Sequence, residues 1–325
     1  MTTTSPNSRA VGRSALQHFV SDNALILVLY GALVIAIVAL SIGWPTFRSG
    51  ANLWTLARQA VIPGIIGIAQ TIIIISAGID LSVGSLVTFI SLVSAGLMDG
   101  QPERFIPIAG LMLATGFIVG LAHGLIVKRG NVPPFITTLG TALVLQGAGL
   151  GYTTVPKGSV PGVMGDLFYY GTVGPLPYPI IIFAIIFVLA VLLMSRTEFG
   201  RAVYAVGGNP EVAHRSGIKV MKTQIMVFCL GSFLVAIAGL VATARMGIGD
   251  PLAGMGMELD SITAVVIGGT SLFGGRGNLF GTLAGVVILT LINNVMVILG
   301  INVFYQQLIK GFVVLSVVAL YKQRV

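Results

Sequence analysis

Residues Ala77–Ser85 read AGIDLSVGS and set one carboxylate, Asp80, between two apolar segments, QTIIIISAG leading in and LVTFISLVSAGLM leading out. A charged side chain at the centre of a bilayer helix costs about 2.5–3.5 kcal/mol on insertion scales, so it is usually paired or functional. Two compatible roles are open to it. In one, Asp80 or Ser82 caps the helix that begins next, and Gly84 lets that helix pack closely. In the other, a broken helix lines a pathway here, and Asp80 and Ser82 exchange hydrogen bonds with a polar solute.

Four amides, Gln70, Gln146, Asn293 and Asn294, also fall inside apolar runs. Such amides commonly bond neighbouring helices, at about 0.6 kcal/mol on average. As a set facing a pore, they would instead let a neutral, hydroxyl-rich solute pass by exchanging hydrogen bonds. Lys310 lies about a turn into the last apolar run and is expected to snorkel outward. His123 and Cys229 read as packed helix residues. A second glycine-rich break, GGTSLFGGRGN (Gly268–Asn278), contains GGRG, but no strand precedes it and the Lys-Ser/Thr of a phosphate loop is absent. It is expected to be a tight turn, and the chain to bind no ATP and no other cofactor itself. His214 stands without neighbouring ligands, so no metal site is expected.

The elements that must hold these residues follow from composition. Of 325 residues, 55% are hydrophobic and 9% charged, against about 25% charged in a soluble domain. Mean hydropathy is +0.99. The fold class is an all-α membrane protein with spans of about 20 residues. Expected spans are Asn23–Phe47, Ala60–Ser76, Val83–Met98, Phe105–Val127, Val132–Tyr152, Tyr178–Ser195, Thr223–Met246, Ile262–Phe273, Leu279–Leu299 and Gln306–Tyr321, about ten in all. The third and eighth are short and flanked by glycine, as in broken helices. Residues 1–22 form a polar cytoplasmic tail without the cleavage pattern of a signal peptide, and residues 23–325 a single transmembrane domain.

Lysine and arginine set the sides. With the N-terminus inside, the inside segments hold Arg9, Arg13, Lys128, Arg129, Arg196, Arg201, Arg215, Lys219, Lys222, Arg276, Lys322 and Arg324, twelve of the 18 basic residues. Most acids fall outside. Both termini are therefore expected in the cytoplasm, and the net charge of +8 is a topology signal rather than a nucleic-acid footprint.

The longest inside connection, residues 196–222, carries its own helix signals. FGRAVYAVG suits two helical turns; Asn209 suits an N-cap, Pro210 the first helical position, Glu211 the first turn and Gly217 a left-handed stop. Gly207 and Gly208 would permit a sharp turn between two short helices. Arg201, Tyr204, His214 and Arg215 would then face a partner.

Four stretches, GIDLSVGS (Gly78–Ser85), PFITTLGT (Pro134–Thr141), TEFGRAVYAVGGNPEVAHRSGI (Thr197–Ile218) and ELDSITAVVIGGTSLFGGRGNLFGT (Glu258–Thr282), carry a family likeness. Together they resemble the permease subunits of bacterial ATP-binding-cassette importers for monosaccharides, the ribose/xylose/arabinose/galactose type. Ala77 and Asn294 depart from it, each standing where that family commonly has glycine. The resemblance implies a permease that moves a monosaccharide across the inner membrane. It also implies a second copy or sibling permease, cytoplasmic ATPase subunits that use the ATP, and a periplasmic sugar-binding protein. Residues 196–222 would be the ATPase-coupling loop. Thr153–Pro177 and Gly247–Asp260, with Asp250 and Glu258, would be the landing surface for the binding protein. The rival is an ion-coupled secondary sugar transporter, which usually needs several intramembrane ionisable groups where Asp80 is nearly solitary.

The topology is open to a direct test. In a Cys229→Ser background, Ser216→Cys should react with a membrane-impermeant maleimide only after the cytoplasmic face is opened. Labelling in intact cells would reverse the assignment.

Overall fold

The computed structural model describes residues 24–322; the expected tail, residues 1–22, and Asn23 at the start of the first expected span lie outside the described residues. The chain runs through α1 (Ala24–Gly43), α2 (Gly50–Ile75), α3 (Val83–Met98), α4 (Phe105–Arg129), α5 (Pro134–Tyr152), α6 (Tyr178–Arg196), α7 (Glu198–Gly208), α8 (Pro210–Arg215), α9 (Val220–Met246), α10 (Met257–Ile267), α11 (Leu279–Ile298) and α12 (Val303–Lys322). Before α6, a small antiparallel hairpin of β1 (Thr172–Val173) and β2 (Leu176–Pro177) sets Val173 opposite Leu176.

A helix stands at each expected span. Among the described residues, seven helices are long and apolar enough to cross a membrane. At about 1.5 Å per residue, α3 covers about 24 Å and α10 about 16 Å of a hydrocarbon core about 30 Å thick. These two are the broken spans. α10 begins and ends earlier than the expected Ile262–Phe273, because Gly268 and Gly269, the latter at φ +84°, stop it. α2 begins at Gly50 rather than Ala60, with Ser49 Oγ accepting from Asn52 N–H at 3.2 Å. Arg58 is thereby helical rather than in a loop.

The hub is α9, which packs against α4, α2 and α3 and buries Val227, Val235, Ala238 and Val241 completely. Glycine makes the α4 contact. Gly116, Gly120 and Gly124 recur every four residues and share one stripe of α4. A Cβ on them would meet, respectively, Ser232, the Phe228–Cys229 backbone and Ile225. Helices in lipid gain nothing from hiding leucine, so close van der Waals approach through small residues takes its place. Polar ties add to it: Thr71 Oγ1 and Thr282 Oγ1 are 2.6 Å apart between α2 and α11, and Asn52 and Asn294 pair reciprocally at 3.2 and 3.0 Å.

α1 buries only Leu33, which joins Phe47, Ala284 and Leu291 in a small cluster. Its Ile35 and Ile42 face outward at 71% and 79% exposure, as do Val144 of α5 and Phe304 of α12. In water this girdle would be an aggregation hazard; in a bilayer it is the lipid-facing surface.

Gly120→Val should push α4 off α9 at the Phe228 carbonyl, an overpacking cost of about 3 kcal/mol. Gly110→Val is the control, since its added methyls meet open space. The Gly120 variant should melt well below the Gly110 variant in detergent; equal melting temperatures would refute the tight α4–α9 contact.

Candidate functional site

α2 ends where Ala77 takes φ +62°, a left-handed conformation that costs a residue with a Cβ roughly 1–2 kcal/mol. The chain then passes through Gly78–Ser82 without helical bonds before α3 begins. Non-helical backbone at membrane depth survives only when the protein itself pairs it. Thr138 Oγ1 of α5 accepts from Leu81 N–H at 3.1 Å and lies 3.2 Å from the Ile79 carbonyl oxygen. Gln224 Nε2 of α9 donates to the Ser76 carbonyl at 3.2 Å.

Asp80 Oδ1 accepts from Ser82 N–H at 2.7 Å and from Ser82 Oγ at 2.6 Å, an Asx turn leading into α3. Ser82 commits its hydroxyl to Asp80 and makes no cap bond to α3. Asp80 is 1% exposed, and its Oδ2 stands 3.8 Å from Nδ1 of the fully buried His123. Sequence reading treated His123 as packing alone. It lies on the glycine stripe of α4, edge-on to Phe228 at 5.9 Å between ring centroids, and that stripe was the signal that it points inward.

The second break folds back on the first. Gly275 N–H donates to the Ile75 carbonyl at 2.9 Å, and Tyr204 Oη of α7 donates to the Gly277 carbonyl at 2.9 Å. Burial holds the Tyr204 phenol above its ordinary pKa, so it stays a donor. Around it, Thr197 Oγ1 caps α7 through Gly200 N–H at 3.2 Å, and Asn209 Oδ1 caps α8 through Glu211 and Val212 N–H, both at 3.0 Å. Pro210 opens α8 and Gly217 follows it at φ +85°.

The turn between these helices is made at Asn209, not by the glycines, for Gly207 and Gly208 are the last residues of α7. Gly207 serves contact instead: a Cβ there would collide with the Ile75 carbonyl oxygen. Arg215 is engaged by Glu211 on the surface of α8. Arg201 stays exposed beside an open groove of about 540 Å³ that Lys219 and Lys222 also line.

At the opposite end of the bundle, Lys157 and Gly249 exchange backbone bonds at 2.9 and 3.1 Å. Asp250 sits in this surface and accepts from Leu252 N–H at 2.8 Å. Glu258 is drawn inward. The Gly247–Gly256 loop dips into the bundle, with Gly254 N–H on Thr88 Oγ1 at 3.0 Å, and sets the Glu258 carboxylate against Gly84 at the start of α3.

The amides separate. Gln70 is fully buried with both side-chain polar atoms unpartnered among the described residues. Gln146 is exposed on α5, apart from the others. Asn293 lines a cavity of about 310 Å³ bounded by α2, α10, α11 and α12, with Arg245 of α9 also on its wall. Lys310 lines it too and does not snorkel: its Nζ donates to Asp260 Oδ2 at 3.1 Å. Nothing in single-sequence spacing joins those two residues.

Membrane-length helices, two broken spans that meet at one end and a cavity lined in part by charged and polar side chains describe a multi-pass membrane protein. The chain belongs to the family of branched-chain amino acid transport system permease components, whose family model matches residues 52–318. It is 38% identical over 291 residues to the ribose import permease protein of Escherichia coli (strain K12), covering 88% of this chain and 90% of that protein. It is also 38% identical over 299 residues to the ribose import permease protein of Bacillus subtilis (strain 168), covering 90% and 91%. The D-allose transport system permease protein of Escherichia coli (strain K12) is 35% identical over 293 residues, covering 89% and 88%. No solved structure matches the chain. The chain is thus a multi-pass permease subunit of the inner membrane, and the import-permease reading stands over the ion-coupled one.

Asp80→Asn keeps an oxygen for Ser82 N–H and should fold as the wild type does. Asp80→Ala leaves that buried amide unpaired, a loss of about 1–3 kcal/mol. Melting in detergent should place Asn with the wild type and Ala below both; an Asn variant as unstable as Ala would assign the break to the charge facing His123 instead of to the turn.

Proposed function

We propose that this chain is the membrane-spanning subunit of an ATP-binding-cassette importer that carries a monosaccharide into the cell, powered by separate ATPase subunits. The observation that carries this reading is the seating of α7 on both broken spans, with Gly207 against the Ile75 carbonyl and Tyr204 on the Gly277 carbonyl. Force applied to α7 and α8 by a cytoplasmic ATPase reaches the non-helical parts of the spans directly. The substrate class rests on the relatives, which are named for ribose, D-allose and, in Haemophilus influenzae, xylose.

On this reading both termini and residues 196–222 are cytoplasmic, as the basic residues suggest. Arg201, Tyr204, Gly207, Gly208, Asn209, Glu211 and Arg215 form the coupling element, with the exposed Arg201 a cation for acidic residues of the ATPase. GGRG lacks the lysine and hydroxyl of a phosphate loop, so the ATP is used by the partner. A second copy or sibling permease completes the membrane core. A periplasmic sugar-binding protein lands on Thr153–Pro177 and the Asp250 loop, without the inward-facing Glu258.

Gly207→Val tests the coupling. The variant should insert normally, yet D-ribose uptake should fall roughly tenfold or more as the α7 contact is forced apart. ATPase stimulation by loaded binding protein should fall with it. Uptake that persists without the ATPase and collapses with the ion gradient would make the chain a secondary transporter.

A further inference from the structure

The cavity between α2, α10, α11 and α12, at about 310 Å³, is large enough for one small polar molecule. Its wall carries both charges of the Asp260–Lys310 pair, the Arg245 side chain and Asn293, whose Oδ1 is buried and has no partner among the described residues. Gln59 and Pro63 face it from α2. Proline has no N–H, so the Gln59 carbonyl four residues back lacks its helical donor. A carboxylate and an ammonium held inside a bilayer still need partners for their remaining lone pairs and protons. A cavity lined in part by polar groups has room for such partners where an apolar contact would not.

The same face of α2 continues inward. Gln59, Pro63, Ile66 and Gln70 recur at the spacing of one helical stripe. Ile66 bounds the cavity, and one turn beyond it lies Gln70, buried with both amide atoms unpaired among the described residues. A buried amide without partners is costly unless another state of the protein uses it.

Resting on the importer reading above, we propose that this cavity is a monosaccharide subsite within a single permease protomer. Asp260 accepts from one ring hydroxyl while Lys310 donates to its neighbour, and the 3.1 Å between their polar atoms suits the adjacent oxygens of a vicinal diol. Asn293 and the Gln59 carbonyl hold further hydroxyls. Ile66 is the apolar barrier that the sugar crosses to reach Gln70. The charges of Asp260 and Lys310 cancel and Arg245 adds a further donor, which suits a hydroxyl-rich polyol; the other solute the pair suits is a zwitterionic amino acid, which makes L-leucine the counter-probe.

The test uses the complete importer in proteoliposomes with D-ribose, D-xylose and D-allose. The exchange variant Asp260→Lys with Lys310→Asp keeps any clamp between α10 and α12 but reverses donor and acceptor. It should insert and hydrolyse ATP in response to loaded binding protein, while sugar imported per ATP falls roughly tenfold. An unchanged ratio would reduce the pair to a helix clamp and overturn the subsite. As a direct reading of occupancy, Asn293→Cys in the Cys229→Ser background should react with a small methanethiosulfonate, and the imported sugar should slow that reaction while L-leucine does not. Protection by L-leucine alone, or by none of these solutes, overturns the proposal even if the wild type imports sugar. A wild type that imports none of the three refutes the importer reading itself, and the subsite with it.

Discussion

In hydrocarbon there is no water to bond a stray N–H or carbonyl, so any span that leaves the helix must be paired by the rest of the protein. Two spans here do leave it, at Ser76–Ser82 and at Gly268–Asn278. They solve part of the problem for each other, through Gly275 on Ile75. The remainder falls to Thr138, Gln224 and Tyr204, from three different helices. A loop helix outside the membrane is thereby fastened to the broken core of the bundle. Contact between that loop and the spans is a consequence of satisfying backbone, and the proposed coupling needs no separate device.

Close approach comes from the same solvent. Where lipid is as apolar as leucine, packing is decided by which helices can touch, and glycine decides it at α4 against α9 and at Gly207 against the end of α2. His123 rides on the first of these contacts. Its burial beside Asp80 is set by the glycines around it as much as by the charge it faces.

What could be read in the sequence was local. Asn209, Pro210 and Gly217 announce helix ends within a few residues of themselves, and the structure caps α8 with them. The glycines flanking Val83–Met98 announced a short helix in the same way. What could not be read was which faces meet. Asn52 and Asn294 are bonded across most of the chain, and Asp260 and Lys310 across two loops and a helix; spacing holds no record of either. Gly207 shows the commoner error, since a glycine before a turn was given to the turn when its hydrogen was needed for a neighbour's carbonyl. Ala77 shows the reverse. The left-handed backbone there is what glycine would favour, and the alanine adopts it under tertiary constraint.

Among the described residues, two acid–base pairs inside the bundle meet the cost of buried charge in opposite ways. Asp80 and His123 are dry: at 3.8 Å no hydrogen bond joins them, and the carboxylate's bonds go to the backbone and hydroxyl of Ser82. Removing such a group leaves an amide stranded, so it holds a shape. Asp260 and Lys310 are directly bonded yet about one-third exposed to a cavity. A wet pair can trade its partner for water or a hydroxyl at little cost, because each bond lost is replaced by another. On the proposed reading, the first kind keeps its partners while the helices move and the second can release them when a solute arrives. Burial, more than charge, separates the two roles.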